Sequence, residues 1–171
     1  MFLHKYKYLY LFKSNNIYTN NQFKMDDYET HNLNSNWKIW FHKSDDNQWG
    51  FDSYIKLAEF SNIEDFAIII NGFEPLHIQN AMLFIMRGNI KPMWEADENK
   101  EGGSMSFKIY KKDIYEAWIQ LVINLISENL LKESNHFNKI NGISISPKKT
   151  FSIMKIWFRD NTINEAKYLN K

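Results

Sequence analysis

One polar loop with an aromatic residue at its centre sets the organisation of this chain: Lys91-Pro92-Met93-Trp94-Glu95-Ala96-Asp97-Glu98-Asn99-Lys100-Glu101-Gly102-Gly103. Pro92 fixes one backbone angle ahead of Trp94, and the glycine pair closes the loop before an apolar run begins. An exposed indole lowers solubility, so a tryptophan in such a loop needs a reason. Two interpretations are open. Either Trp94 folds back as a lid over the core, or Trp94 and Glu95 bind a flat ligand with hydrogen-bond donors, such as a nucleobase.

Length and composition indicate one packed domain. The chain has 171 residues, of which 44% are hydrophobic and 16% aromatic, enough to bury a substantial core. The formal net charge is only +1, so any contact with nucleic acid must come from a local patch. There is no cysteine, which excludes disulfides and thiolate metal sites.

The first residues differ from the rest of the chain. Asn, Lys and Tyr dominate there without a period, so we expect residues 1–30 to form a poorly ordered tail and residues 31–171 to form the domain. Lysines interrupt Met1–Phe12, which we interpret as neither a signal peptide nor an anchor. No apolar run approaches the roughly 18 residues that span a bilayer.

Apolar and polar residues alternate in several short segments, which predicts strands. We expect strands at Trp37–His42, Ser53–Phe60, Met105–Tyr110, Gly142–Ser146 and Phe151–Phe158, and a short apolar strand at Ala81–Met86.

Two capping boxes predict helix starts. Ser61 and Glu64 have the spacing in which each side chain accepts from the other's backbone N–H, and Asn71-Gly72 predicts a left-handed cap where that helix ends. Thr162 and Glu165 have the same spacing and predict a final helix that runs nearly to the last residue.

The longest predicted helix covers Lys111–Leu131. Its polar residues recur at three- and four-residue steps and form one narrow stripe. One apolar face suits packing on a sheet, and Ile119, Ile123, Ile126 and Leu130 form a second apolar flank. That arc is wider than the roughly 100° that one sheet contact needs. A neighbouring helix or a partner protein must therefore cover the second flank.

Other aromatic and basic residues have both a structural and a functional interpretation. Trp49 is a second loop tryptophan, and Lys148 and Lys149 form a basic turn that elsewhere would simply be solvated. The remaining tryptophans up to the long helix lie in periodic elements and are predicted to be core: Trp37, Trp40 and Trp118. The five histidines show no metal-ligand spacing, so we expect no metal and no cofactor.

Several short motifs follow one another along the chain: His31-x-Leu33-x-x-x-Trp37-x-x-Trp40-Phe41, Trp49, Ile63-Glu64-Asp65-Phe66, Pro92-Met93-Trp94-Glu95 with Gly102-Gly103, Trp118, and Lys155-Ile156-Trp157. Taken together they resemble the eukaryotic translation initiation factor 4E family, the proteins that bind the 5′ cap of messenger RNA. Pro-Met-Trp-Glu followed by Gly-Gly is a specific signal, which a lone tryptophan is not.

The resemblance implies an α+β fold: a strongly curved antiparallel sheet with helices on its convex face and a cap slot on its concave face. It also implies roles for individual residues. Trp49 and Trp94 sandwich 7-methylguanine, Glu95 accepts from the base's N1–H and amino group, and Trp157 sits against the methyl group. The phosphates fall to the basic turn at Lys148 and Lys149.

The chain departs from the family on the phosphate side. Two positions that are basic in the family are Ser104 and Ile153 here, while Lys148 matches a third. Lys149 and Lys155 are the candidates that could compensate. The family also continues with another strand after the helix that follows the last tryptophan, and we expect that strand to be missing here.

A second departure concerns the convex face, where the family binds scaffold and repressor proteins. The corresponding surface is His31, Ile63, Ala67, Ile119 and Ile123. Ala67 stands where the family has a tryptophan that clamps a helical motif with tyrosine and leucine. We therefore expect weak or altered binding of an initiation factor 4G-like scaffold or of a 4E-binding repressor.

The first functional hypothesis is a monomeric, cytoplasmic, non-catalytic protein that binds capped messenger RNA in translation initiation or its control. One alternative is a repressor that sequesters caps without recruiting the scaffold. An alternative from another class is a hydrolase of a sugar or nucleotide, with Glu95 and Asp97, Glu98 or Glu64 as the acid and base.

Overall fold

A computed structural model describes residues 30–163 and 165–170. Within these residues, six strands form one antiparallel sheet: β1 (Asn32–His42), β2 (Tyr54–Asn62), β3 (Met82–Arg87), β4 (Ser104–Tyr110), β5 (Ile140–Pro147) and β6 (Phe151–Phe158). The α-helices are α1 (Ile63–Asn71), α2 (Pro75–Asn80), α3 (Asp97–Lys100) and α4 (Ile114–Ile126). The spatial order is β2-β1-β3-β5-β6-β4, which confirms the predicted α+β class. The predicted tail, residues 1–30, lies outside the described residues except for residue 30.

Alternation along the strands separates the two faces of the sheet. The helix-covered face carries the main core, whose large buried side chains come from three central strands and from α4: Trp37, Ile39, Leu83, Ile85, Ile143, Ile145, Trp118 and Leu125. The opposite face, called the open face below, carries a smaller buried cluster: Tyr54, Phe84, Met86, Ile90 and Trp157. Trp40 is half-buried against that second cluster rather than part of the main core.

Irregular strand pairing bends the sheet. The register of β1 against β2 shifts twice, and that of β5 against β6 shifts once. Such bulges bend a strand and increase its local twist. The sheet is strongly curved, with its helices on the convex side, as expected.

The long helix α4 packs on the sheet through Ile114, Trp118, Val122 and Leu125, which recur at three- and four-residue steps. It ends at Ile126, short of the predicted end. Glu128 explains the difference, because its φ of 58° lies in the left-handed region that a right-handed helix excludes. None of the described helices has the length and apolar character to cross a membrane.

The second apolar flank of α4 is covered only in part. Ile126 and Leu130 are buried, and α2, which the sequence pattern did not predict, packs against the helix. Ile119 is half-buried, and Ile123 is 44% exposed. The hydrogen bonds between Gln79 and Lys111 place α2 at the start of α4, not at Ile126 and Leu130. The flank is thus buried within the chain at Ile126 and Leu130 and stays open at Ile123.

The predicted caps of α1 are wrong in detail. Asn62, not Ser61, is the N-cap, since the N–H of Asp65 donates to the Asn62 Oδ1 atom at 2.7 Å. Either residue suits an N-cap, and the choice shifts the helix start by one position. Gly72 has φ −75° and ψ −11°, so the helix ends without a left-handed residue.

The predicted final helix is also wrong. The described residues there form two short 3-10 turns, Asn161–Ile163 and Ala166–Tyr168. Both the N–H and the hydroxyl of Thr162 donate to the Asp160 carboxylate. This local turn uses the groups that the predicted capping box with Glu165 needed.

Candidate functional site

Ring contacts connect the two loop tryptophans across the open face. Four rings line that face and are called the aromatic floor: His42, Tyr54, Phe84 and Trp157. Trp49 joins one end of the floor by stacking on His42, with centroids 4.3 Å apart and planes within 1°. Trp94 joins the other end, with its centroid 6.1 Å from that of Trp157. The exposed fractions are 50% for Trp49 and 49% for Trp94, so both indoles border one surface and keep ring area free.

Strand β1 positions Trp49 through His42, the last residue of the strand. His42 is fully buried, and its Nε2–H donates to the carbonyl oxygen of Gln48 at 2.9 Å. The ring of Phe51, just beyond Trp49, packs on Trp40 with centroids 5.3 Å apart. The residues on either side of Trp49 are therefore tied to the sheet, and one face of its indole is already covered.

A buried amide shapes the loop that carries Trp94. The Nδ2 group of Asn99 donates to the carbonyl oxygens of Lys91 at 2.9 Å and Met93 at 2.7 Å. Asn141 of β5 in turn donates to the Asn99 Oδ1 atom at 3.0 Å. Asn99 is only 1% exposed, so these hydrogen bonds are shielded from water and fix the backbone ahead of Trp94.

Gly102 closes the same loop against the end of β6. A Cβ atom at this position would lie 1.9 Å from the carbonyl oxygen of Phe158, well inside contact distance. The next residue, Gly103, accepts a 2.9 Å hydrogen bond from the N–H of Phe158. The predicted role of the glycine pair in closing the loop is confirmed, and the reason is close backbone approach.

A hydrogen bond to the neighbouring strand β5 holds Trp157. Its Nε1–H donates to the Ser144 hydroxyl oxygen at 2.9 Å, and the residue is 7% exposed. Because β5 and β6 are paired, these two side chains share the open face. The ring is fixed in orientation beneath Trp94.

Glu95 follows Trp94 and is exposed. Burial, and secondarily the negative charge of Glu95, raises the pKa of the Tyr54 hydroxyl to about 12. The charge of Glu95 thus acts on Tyr54, one ring of the aromatic floor.

The basic residues divide into two groups. Lys148 and Lys149 are exposed in the turn between β5 and β6, where the N–H of Lys148 donates to the carbonyl oxygen of Phe151 at 2.8 Å. Lys155 lies on β6 two positions before Trp157 and therefore on the same face. Lys155 is thus closer along the strand to the aromatic floor than the predicted phosphate ligands.

The predicted partner surface lies on the helix-covered side of the sheet. Ile63 is 49% exposed, and Ala67 is half-buried on the same helix. The Nδ1 atom of His31 lies 2.8 Å from the Glu64 carboxylate, and this hydrogen bond holds the pKa of Glu64 below its usual range. With Ile119 and Ile123 of α4, these residues leave exposed apolar area on the convex face.

Three residues that hold the site escaped the sequence analysis: His42, Asn99 and Ser144. The alternation in β1 does place His42 on the face of Trp40, but nothing in the pattern links it to Trp49. Hydrogen bonds between residues 42 apart, such as that of Asn141 with Asn99, have no local signal. In the described ranges, no group of three or more His, Cys, Asp or Glu residues has the arrangement of a metal site.

Fold and site together define an α+β protein whose curved sheet presents an aromatic concave face with two half-exposed indoles. The family model for eukaryotic initiation factor 4E matches residues 32–170. The chain therefore belongs to the eukaryotic initiation factor 4E family.

Named relatives agree with this assignment. Eukaryotic translation initiation factor 4E of Saccharomyces cerevisiae is 29% identical over 133 residues, covering 74% of this chain and 61% of the relative. The Candida albicans protein of the same name is 29% identical over 140 residues, covering 76% and 65%. The chain thus spans less than two thirds of the length of these relatives.

Solved structures share the fold. A complex of C. elegans eIF4E-3 with the 4E-binding protein Mextli and cap analog has a TM-score of 0.69 at 24% identity, covering 78% of this chain and 77% of that chain. A Schistosome eIF4E complexed with m7GpppG and 4E-BP has a TM-score of 0.70 at 22% identity, covering 79% and 75%.

Proposed function

We propose that this protein binds the 7-methylguanosine 5′ cap of messenger RNA in translation initiation or its control, without catalysing a reaction. The observation that carries the proposal is the pair of half-exposed indoles, Trp49 and Trp94, at the two ends of one aromatic floor. Membership of the initiation factor 4E family supports it.

The chemistry of the base fits this arrangement. Methylation at N7 makes guanine cationic, so indole faces attract it by cation–π interaction in addition to stacking. Stacking on an aromatic ring contributes about 1–3 kcal/mol per base. Glu95 next to Trp94 accepts from the N1–H and amino groups, and a hydrogen bond to a charged acceptor contributes about 1.5–3 kcal/mol. Trp157 lies beneath Trp94 and contacts the methyl group.

The phosphates that follow the base are negatively charged, and we place them near β6. Lys148 and Lys149 are the proposed contacts from the turn, and Lys155 supplies a positive charge on the strand itself. Since Ser104 and Ile153 add no charge, we expect the phosphates to contribute less affinity here than in a site with more basic residues.

Retention on immobilised 7-methylguanosine phosphate tests the proposal. The full chain should bind the resin and be released by free 7-methyl-GTP but not by GTP, because unmethylated guanine lacks the cationic charge. Trp94→Ala and Glu95→Ala should each lower affinity at least tenfold, whereas Glu101→Ala, an exposed carboxylate of the same loop, should not. Equal release by GTP and 7-methyl-GTP, or unchanged retention of Glu95→Ala, would falsify this binding mode.

Ala67 bears on how a scaffold or repressor protein binds the convex face. We infer that the protein binds a scaffold or repressor helix weakly, because a methyl group replaces the large side chain expected of an interface hot spot. Ala67→Trp should tighten binding of a peptide with the tyrosine-and-leucine motif by about 2 kcal/mol or more, with cap affinity unchanged. If the unaltered chain already binds that peptide as tightly as Ala67→Trp does, the inference is wrong.

The proposed ligand also implies where and how the protein acts. Capped messenger RNA is translated in the cytoplasm, so we place the protein there. We expect it to act as a monomer, since one open face holds the whole of the proposed base site. Sedimentation of the full chain with and without 7-methyl-GTP checks the oligomeric state.

A further inference from the structure

A row of basic and aromatic side chains runs along the open face from the aromatic floor to the edge of the sheet. Paired residues of antiparallel strands share a face, and three pairs of β4 and β6 form this row: Ser106 with Lys155, Lys108 with Ile153, and Tyr110 with Phe151. They are called the edge strip. The intervening residues of β4 pack against the main core: Met105, Phe107 and Ile109. The edge strip therefore faces away from the core, on the side of Trp157.

The edge strip is positively charged and lacks acidic neighbours on its own strands. The sequences of β4, β5 and β6 contain no Asp or Glu. Within the part of the chain that the structure describes, neither Lys108 nor Lys155 forms an ion pair with a carboxylate, whereas Lys56, Lys100 and Lys139 do. Two strand lysines without a paired acid are available to an anion.

The outer end of the edge strip is aromatic. Tyr110 is 56% exposed, a large fraction for a tyrosine within a strand. The Lys108 Nζ atom lies 5.3 Å from the centroid of the Tyr110 ring and 4.6 Å from that of Phe151. A basic groove with exposed rings is how proteins bind single-stranded nucleic acid, with phosphates on the charges and bases on the rings.

The spacing suits a chain that leaves the base site. At about 3.3 Å per strand residue, Lys155 lies about 7 Å along β6 from Trp157, and Phe151 about 20 Å. Lys108 stands between them. The charges thus begin beside the proposed base site, and the exposed ring comes last.

We propose that the edge strip carries the RNA chain that follows the cap, with phosphates at Lys155 and Lys108 and a base stacked on Tyr110. This inference rests on the proposed cap binding, because it extends that site along the strands. The occupant is single-stranded RNA, since the charge is too local for duplex binding and the exposed Tyr110 ring offers a surface on which an unpaired base can stack.

The test compares two ligands on the full chain by quenching of tryptophan fluorescence: 7-methyl-GTP and a capped octamer of uridine. The unaltered chain should bind the octamer at least tenfold more tightly than 7-methyl-GTP. Lys108→Ala combined with Tyr110→Ala should reduce that gain to less than threefold and leave the affinity for 7-methyl-GTP within twofold. Each stacking contact is worth about fivefold or more, and each lysine about 0.7 in the salt dependence of the affinity.

Two control variants separate charge and stacking from folding. Lys56→Ala removes an exposed lysine from the opposite edge strand β2 and should keep the full gain. Tyr110→Phe should keep the gain as well, because the ring remains.

The outcomes are distinguishable. The same octamer gain in the double variant and in the unaltered chain overturns the edge strip while cap binding stands. Failure of the unaltered chain to bind 7-methyl-GTP overturns the proposed function, and the edge strip as its extension falls with it.

Discussion

The sharpest stability prediction concerns Gly102, where the Trp94 loop meets the end of β6. In Gly102→Ala, the added Cβ would lie 1.9 Å from the Phe158 carbonyl oxygen, 2.9 Å from its carbonyl carbon and 3.0 Å from the Arg159 carbonyl carbon. All three are backbone atoms, so no side chain can rotate away. An ordinary contact begins at 3.4 Å, which means that one backbone segment must move by about 1.5 Å.

That movement has a cost that can be estimated. Overpacking with backbone displacement costs about 1–3 kcal/mol. The displaced segment includes the 2.9 Å hydrogen bond from the Phe158 N–H to the Gly103 carbonyl oxygen, and its loss adds about 0.5–1.5 kcal/mol. We therefore expect Gly102→Ala to lower the free energy of unfolding by about 1.5–4.5 kcal/mol, and to weaken binding of 7-methyl-GTP because Trp94 lies in the displaced loop.

Urea unfolding followed by circular dichroism measures the change, with Gly50→Ala as the matched control. Gly50 has φ −67° and ψ 156°, which any residue adopts, and a Cβ there meets nothing within 4 Å. Its replacement should leave stability unchanged or raise it by about 0.4–1 kcal/mol. If Gly102→Ala unfolds at the same urea concentration as Gly50→Ala, the close approach is not a constraint and our account of the loop is wrong.

Three further predictions concern the groups that hold the site. Asn99→Ala removes the Asn99 hydrogen bonds to the Lys91 and Met93 carbonyl oxygens and should lower the free energy of unfolding by about 1–3 kcal/mol; an unchanged urea midpoint would contradict this. Ser144→Ala leaves the buried Nε1–H of Trp157 unpaired and should lower the free energy of unfolding by a similar amount. Its change in tryptophan fluorescence on unfolding should differ from that of the unaltered chain. The Tyr54 pKa of about 12 exceeds its ordinary 10.0, so the unfolded chain releases that proton first and stability falls as pH rises from 10 toward 12. In Glu95→Gln the Tyr54 pKa should fall but stay above 10, because burial is the larger cause, and an unchanged tyrosinate titration would show that the carboxylate lies elsewhere.

Most of the sheet could be predicted from the sequence, because strand periodicity is a local property. The alternation at Trp37–His42 and at Phe151–Phe158 corresponds to β1 and β6. Helix boundaries were less predictable. The end of α4 depends on the left-handed backbone of Glu128, and the missing final helix depends on which of two carboxylates Thr162 contacts.

The proposed recognition residues could also be predicted from local sequence, whereas the residues that support them could not. Trp94 and Glu95 could be singled out because a tryptophan beside a carboxylate in a polar loop is conspicuous without any structure. The contact of His42 with Trp49 depends on how the loop folds back over β1, and the hydrogen bond of Asn141 with Asn99 joins segments 42 residues apart. Sequence therefore indicates the residues that we propose meet the ligand but not what holds them.

Those supports determine how the site binds. Trp49 is stacked on a buried ring, the Trp94 loop is tied by a buried amide, and Trp157 is fixed by a hydroxyl. His42 and Ser144 belong to strands outside the segments that they hold, and Asn99 ties its own loop while Asn141 of β5 holds it in turn, so contacts of the fold itself hold the aromatic surface. Ordering a free side chain on binding costs about 0.5–1.5 kcal/mol, and that cost is already met in folding. Substitutions at the supports should therefore weaken binding of 7-methyl-GTP without touching the ligand.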